Sequence, residues 1–373
     1  MKRKIVILGA GAIGRGYLPW VLPASDYDLI FVDANQTVIA AMRDAGKYTT
    51  YRIRNNKLES LVVPVHEAYL PQEFQPDRHR DVAACFLCVG PRNVAKAAGL
   101  VKGTMAPLIL CENEPYTVEI AKRVVGHERV YFAVPDVITS NTAPAHLLQK
   151  DALSVVTEDG TLFIEEGPAE LGGDFQFLSA KDLFNVQWTS KLYLHNTPHC
   201  IAAYLGALVG ATYIHEAMEV DGVSSIVAGA MDEMLRSLKL KWDIPHDFLQ
   251  WYADKELTRF RSPLLFDPVS RVAREPLRKL EMHGRLIGAA QICLSLGIVP
   301  ANILAGITGA LLFENESDPD HHLVLMRRAF PPDLFNTYIL GLRKDEPLDL
   351  VLREQMESMV ARLALLPKVD QRG

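Results

Sequence analysis

No stretch of this 373-residue sequence stays apolar for the length of a membrane-crossing helix without interruption. A surplus of positive charge is also missing: 39 Lys and Arg face 45 Asp and Glu, a net charge of −6, so bulk electrostatics offer nothing to nucleic acid. Dense Cys/His/Asp patterns with metal-ligand spacing are absent too, and His321-His322 stands in a polar, acidic loop, so no metal is expected. Cysteine is scarce and odd in number. Cys85, Cys88, Cys111, Cys200 and Cys293 are scattered through apolar segments, which suits reduced thiols; Cys85-Phe-Leu-Cys88 has redox spacing but lies in a strand-like run. The chain passes from Met-Lys-Arg-Lys directly into a strand with no small-residue cleavage site, and a cytoplasmic protein is the expectation.

What is present is enough sequence for two domains. Lys4 to Leu8 is a short apolar run followed at once by Gly9-Ala-Gly11-Ala-Ile13-Gly14-Arg15-Gly16 and an apolar, helix-like segment. In this strand-turn-helix setting the glycines form a dinucleotide-binding pattern. Gly9 permits the tight turn, Gly11 lets the backbone approach a pyrophosphate, and Gly14 lets the helix pack close to the sheet. Ile13 lies in the same cofactor-binding turn. Asp28 to Val32 reads as the second parallel strand and ends in Asp33, whose carboxylate would accept from ribose hydroxyls and disfavour a 2′-phosphate, selecting NAD; the other reading of Asp33 is a helix N-cap. Arg15 reads either as an added donor near the phosphates or as an exposed first-turn residue.

Further strands are expected at Lys57 to His66, Asp81 to Val89, Pro107 to Cys111 and Val130 to Val134, with Leu153 to Glu158 and Thr161 to Glu166 joined at Asp159-Gly160 as a hairpin extending the sheet. Two polar residues stand where strand C-termini would face a cofactor. Asn113 can reach a nicotinamide ribose or a reacting oxygen, or simply turn the chain before Pro115; Asp136 can bind a substrate hydroxyl, hold a partner side chain, or cap a turn. After about Asn185 long helical patterns take over: Asn185 to Gly210, His215 to Leu238, His246 to Phe260, Pro276 to Leu296, Ala301 to Leu312 and Leu348 to Leu366. The expected architecture is an α/β chain, with a Rossmann-type NAD-binding domain over 1–185 and an all-helical substrate domain over 186–373, the substrate entering the cleft between them.

The helical half opens on Ser190-Lys191-Leu192-Tyr193-Leu194-His195-Asn196-Thr197-Pro198-His199, a polar set inside an otherwise apolar run. At about 100° per residue, Lys191, His195 and His199 fall within roughly 80° of one another, with Asn196 about 60° beyond. Pro198 has no N–H to give and is expected to kink the helix, freeing carbonyls that could line a site. One reading is metal-independent alcohol oxidation. A desolvated lysine has a lowered pKa and can take the hydroxyl proton, Asn196 donates to the developing alkoxide, and His199 orients or relays. The other reading is a snorkelling lysine beside satisfied core histidines. Farther on, Arg259, Arg261, Arg271, Arg274, Arg278, Lys279 and Arg285 crowd one interval. They suit a phosphate or carboxylate on the substrate, or form charged helix faces paired with Glu275 and Glu281.

Lys191-x4-Asn196-x2-His199 behind a dinucleotide pattern resembles the polyol-specific long-chain dehydrogenases, over most of the chain. The likeness includes Cys111-Glu112-Asn113, Asn196-Thr-Pro-His199 leading into Ala203-Tyr204-Leu205-Gly206, Arg259-Phe260, and Pro276-Leu277-Arg278-Lys279-Leu280 with Arg285-Leu286. The last segment is similar to the branch of the family that acts on sugar phosphates. The resemblance implies an enzyme with NAD as cofactor and Lys191 as general acid/base, Asn113 and Asn196 at the reacting oxygen, and His199 in support. The implied reaction interconverts mannitol 1-phosphate and fructose 6-phosphate. Asp136, Arg274, Arg278 and Lys279 are the candidate substrate residues, and a monomer or small homo-oligomer is expected. Two positions depart from the family pattern: Val137 stands where arginine usually follows the aspartate, and Pro198 where glycine is common. An unphosphorylated polyol, a sugar acid, the β-hydroxyacid dehydrogenase class and a catalytically silent NAD-binding protein are the competing expectations.

Overall fold

The computed structural model describes residues 2–79, 81–140, 142–168 and 170–369. The chain divides into two compact units, one of residues 1–187 with 264–266, the other of 188–263 with 267–373.

The first unit is built on an eight-stranded sheet. Strands β1 (Arg3–Leu8), β2 (Tyr27–Val32), β3 (Lys47–Arg54), β4 (Lys57–Pro64), β5 (Glu67–Tyr69), β6 (Val82–Leu87), β7 (Leu108–Leu110), β8 (Val130–Asp136), β9 (Val156–Glu158), β10 (Thr161–Glu165) and β11 (Phe175–Leu178) follow in chain order. The large sheet runs β11-β10-β8-β7-β6-β1-β2-β5. From β8 to β5 every neighbouring pair is parallel. This is the doubly wound dinucleotide-binding order, and its direction reverses between β1 and β6. Ile5, Ile7, Phe31 and Phe86 are fully buried, as the continuous apolar runs of parallel strands require.

The expected hairpin after Leu153 does not form. β10 pairs antiparallel with β8 in the large sheet, whereas β9 pairs parallel with β3 in a separate sheet of order β4-β3-β9. Asp159-Gly160 carries the chain from one sheet to the other. Asp159 bonds Arg52 and Arg54 of β3 at 3.0 Å each, and a Cβ at Gly160 would lie 2.3 Å from the Asp136 carbonyl oxygen. Strand β3 itself was not anticipated.

Helices dominate the second unit. His246–Phe260 matches its expected span, Thr197–Val209 and Ala301–Leu311 lie inside theirs, and Pro347–Ala364 begins one residue before its expected start and ends two before its expected end. Two long expectations are broken. A turn at Val220 separates Ile214–Glu219 from Asp221–Lys241, and Pro276–Lys279 stops before Ile287–Ser295 begins. Among the described residues no helix is long and apolar enough to cross a membrane.

Candidate active site

In the first unit the chemistry resides in the backbone. Gly9 adopts φ +101°, a conformation that L side chains rarely adopt, and its N–H donates to the Val32 carbonyl at 2.8 Å. A Cβ on Gly9 would lie 2.4 Å from the Cys88 carbonyl oxygen, and one on Gly14 only 1.9 Å from that of Gly9. Gly11 differs: a Cβ there would meet nothing within 4 Å. Gly9 and Gly14 are therefore required by the protein's own turn. Gly11 keeps an open face where a pyrophosphate would approach, the fit a dinucleotide needs. Ile13 and Arg15 lie in the turn Ala12–Tyr17 that follows. Arg15 is half-buried, not the exposed first-turn residue of the second reading. Its guanidinium donates to the carbonyls of Ala10 and, at 3.0 Å, Leu153, so much of its donor capacity is spent on backbone.

Asp33 is held at the sheet's C-terminal edge, where its carboxylate accepts from the N–H of Ala10 at 2.6 Å and of Asn35 at 2.8 Å. The next helix is capped by Asn35, which accepts from Thr37 and Val38, so the N-cap reading of Asp33 falls. Asn113 sits exposed beyond β7. Beside it is a residue that sequence reasoning passed over. Glu112, 5% exposed, accepts from Val89 at 2.7 Å and Gly90 at 3.0 Å and ties the loop after β6 to the end of β7. A carboxylate next to an apolar strand, with no basic residue nearby in sequence, was the available signal. Asp136 is the last residue of β8, opposite Thr161, and not part of the loop beyond the strand. A cavity of about 680 Å³ opens at the opposite end of these strands, lined by Arg3, His79, Val82, Pro107 and Arg129, away from the glycine turn.

In the second unit the chemistry resides in buried side chains. Lys191 to Asn196 winds as a wide π-type turn before the regular helix Thr197–Val209. The Thr197 N–H reaches back five residues to the Leu192 carbonyl, which the Thr197 hydroxyl also meets at 3.2 Å. That carbonyl is thus satisfied, whereas the one Pro198 cannot serve is that of Leu194, four residues before it. Pro198 falls in the first turn of the regular helix, where a missing N–H costs little, so the expected kink is absorbed by the wide turn.

Lys191, His195, Asn196 and His199 are all buried, at 5 to 7% exposure. The Asn196 Nδ2, shielded from water, has no hydrogen-bond partner among the described residues. Each histidine is bound to a buried carboxylate. His195 Nδ1 donates to Glu256 at 2.5 Å and His199 Nε2 donates to Asp267 at 2.7 Å. Phe260 stacks on His199 with centroids 5.1 Å apart and planes 3° from parallel. Burial pushes the His195 pKa down to about 4 despite the opposing pull of Glu256. Burial alone would raise Asp267, but Arg271 and His199 outweigh it and hold the carboxyl below its ordinary range.

The arginine interval divides accordingly. Arg259 pairs with Glu256 and Arg271 with Asp267, so both serve the histidine carboxylates. Arg274 is exposed and Arg278 bonds Glu275 at 3.2 Å. Lys279 is 3% exposed, donates to the Arg274 carbonyl and lies over the Tyr204 ring at 5.6 Å. Burial, with Arg285 and Arg278 nearby, pushes its pKa well below the usual lysine value. The Tyr204 hydroxyl, fully buried on the same helix as His199, has no hydrogen-bond partner among the described residues. The structure thus groups Lys279 and Tyr204 with Arg278 and Arg285 and leaves Arg274 at the surface.

A glycine turn of the dinucleotide-binding kind, followed by a helical unit with a buried Lys-Asn-His set, fits an NAD-dependent polyol dehydrogenase. Residues 3–165 match the mannitol dehydrogenase Rossmann domain and residues 187–327 the mannitol dehydrogenase C-terminal domain. The chain is 30% identical over 337 residues to a mannitol-1-phosphate 5-dehydrogenase of Caldanaerobacter subterraneus, covering 84% of this chain and 87% of the relative. It is 32% identical over 343 residues to that of Bacillus licheniformis, covering 84% and 88%. Among solved structures, Pseudomonas fluorescens mannitol 2-dehydrogenase in ternary complex with NAD and D-mannitol superposes with a TM-score of 0.74 at 15% identity, over 98% of this chain and 91% of that one. The chain belongs to the mannitol dehydrogenase family.

Proposed function

We propose that this enzyme interconverts mannitol 1-phosphate and fructose 6-phosphate with NAD, and that Lys191 is its general acid/base. The observation that carries the reading is the buried Lys191-Asn196-His199 set, in which Asn196 holds an unused amide donor. An unpaired buried donor is costly unless something fills its place during function, and an alkoxide is such a group. Bound NAD supplies the hydride acceptor. Gly9, Gly11, Ile13, Gly14 and Asp33 hold the dinucleotide, Asn113 reaches its ribose or the reacting oxygen, and Asp136 takes a substrate hydroxyl. Lys191 takes the proton from the oxidised hydroxyl and returns it in the reverse reaction. Asn196 donates to the oxygen as its charge grows, and His199 orients the pair.

The phosphate is assigned to Lys279 and Arg278, with Arg274 at the rim. Relatives named mannitol-1-phosphate 5-dehydrogenase support it, as does a buried lysine beside two arginines. One observation favours an unphosphorylated polyol instead: Arg278 already bonds Glu275. Turnover of mannitol 1-phosphate and of mannitol separates the two. In the phosphate reading the phosphate ester is preferred, and Arg278→Ala raises KM for it by roughly tenfold or more without changing KM for mannitol. Equal effects on both compounds remove Arg278 from the phosphate site. The five thiols, none in a disulfide, fit the reducing interior of a cell, where we place the enzyme.

A further inference from the structure

The Lys191 region holds two histidines one helical turn apart, with ring centroids 4.9 Å from each other, and they are tied in opposite senses. His195 is bound through Nδ1 to Glu256, and His199 through Nε2 to Asp267. An ionised carboxylate only accepts, so each contact fixes which nitrogen carries the proton. His195 in its neutral form carries it on Nδ1. His199 in its neutral form carries it on Nε2, which leaves Nδ1 as an acceptor.

Asp267 is well placed to impose this. Its backbone carbonyl accepts from the Ile214 N–H at 3.0 Å, and the next residue, Pro268, bridges to Tyr213. Arg271 holds the other carboxylate oxygen through Nε at 3.2 Å and through a terminal nitrogen. Phe260, stacked face to face, fixes the plane of the His199 ring. With anchor, ring plane and proton all set, the acceptor Nδ1 has a single direction available.

We propose that Asp267 is a positioning residue for the reaction. It acts through His199, locking the imidazole as the Nε2–H tautomer so that Nδ1 accepts a hydrogen bond from Lys191 or from the substrate hydroxyl that Lys191 deprotonates. The proposal deepens the general-base reading of Lys191 and rests on it for its kinetic consequence. Its structural core, the tautomer, stands on the Asp267 contact alone.

The test pairs a spectrum with kinetics. Protein labelled with 15N in its histidines is compared as wild type and as Asp267→Asn by two-bond 1H–15N correlation, with His199→Gln locating the His199 signals. Asparagine is nearly isosteric and can present either a donor or an acceptor to the ring. The expected result is a fixed Nε2–H pattern for wild-type His199 and a mixture, or the reversed pattern, in the variant. On the reaction, Asp267→Asn lowers kcat by roughly 10- to 100-fold while KM for NAD stays within about twofold, and Asp267→Glu recovers part of the loss. Wild-type His199 protonated on Nδ1 overturns the proposal. So does an unchanged kcat in a variant whose tautomer has changed, or a loss equal in kcat and in thermal stability that Asp267→Glu does not relieve. The spectrum needs no substrate, so failure to oxidise mannitol 1-phosphate sinks the substrate assignment while leaving the tautomer standing.

Discussion

In the proposed reaction the glycine turn of the first unit and the Lys191 cluster of the second would each hold a reacting group in a fixed place, by opposite means. The turn works because side chains are missing. Gly9 and Gly14 leave no room for a Cβ against neighbouring carbonyls, and Gly11 leaves an open face. The cluster works because polar side chains are present where apolar ones would pack, each imidazole held by a carboxylate more than 60 residues away in sequence. The turn is set by local spacing. The cluster is set by tertiary partners.

The comparison breaks most severely at Glu256. This carboxylate, fully buried, meets His195 and Arg259, and removing one member of a buried ionic set costs roughly 3–5 kcal/mol. Glu256→Ala is expected to lower the denaturant midpoint of the second unit strongly while leaving NAD affinity almost unchanged. An equal loss of NAD affinity would show that the two regions are not separately built.

The cluster also carries a pH signature that the turn lacks. Burial holds the folded pKa of His195 at about 4, below its ordinary 6.5, so the unfolded chain takes up that proton first as pH falls. The stability contributed is present in full above about pH 6.5 and is lost as pH drops towards 4, roughly 3 kcal/mol if fully expressed. Chemical denaturation across that range should show the decline, and His195→Gln, which keeps a donor for Glu256 but cannot titrate, should flatten it.

A smaller and more selective effect separates the glycines. Gly14→Ala forces the turn to move and should cost about 1–3 kcal/mol together with NAD binding. Gly11→Ala meets no protein atom, so thermal stability should hold while NAD affinity falls; calorimetric titration beside a melting curve reads both.

The same contrast explains what was legible in the sequence. Gly9, Gly11, Gly14 and Asp33 could be read from spacing because strand, turn and helix are consecutive, and β1, β2, β6, β7 and β8 lie on the apolar runs the sequence showed, whereas the short edge strand β5 and the order of the strands depend on tertiary pairing. The polar set at Lys191 could be seen and read as an alcohol-oxidation site, but what holds its histidines could not, because Glu256 and Asp267 announce themselves only in three dimensions. Arg259 and Arg271 stood in an interval that could equally hold a substrate anion or paired helix faces for the same reason, since sequence shows a density of charge and not which carboxylate each charge answers. The false hairpin after Leu153 arose from local pairing logic. β9 and β10 are adjacent in sequence, but Arg52 and Arg54 draw Asp159 towards β3, and no local pattern encodes that. Pro198 misled because a proline's effect depends on whether the preceding turn is already widened.

The central claim is that Lys191 moves the proton, and it is tested most directly by following NADH formation on mixing NAD and mannitol 1-phosphate with wild-type protein and with Lys191→Ala, alongside an NAD titration of each. The account predicts turnover by the wild type, a loss of roughly 10³-fold or more in the variant, and the same NAD affinity in both. A variant that still turns over at a rate near that of the wild type, with NAD bound normally, would contradict it.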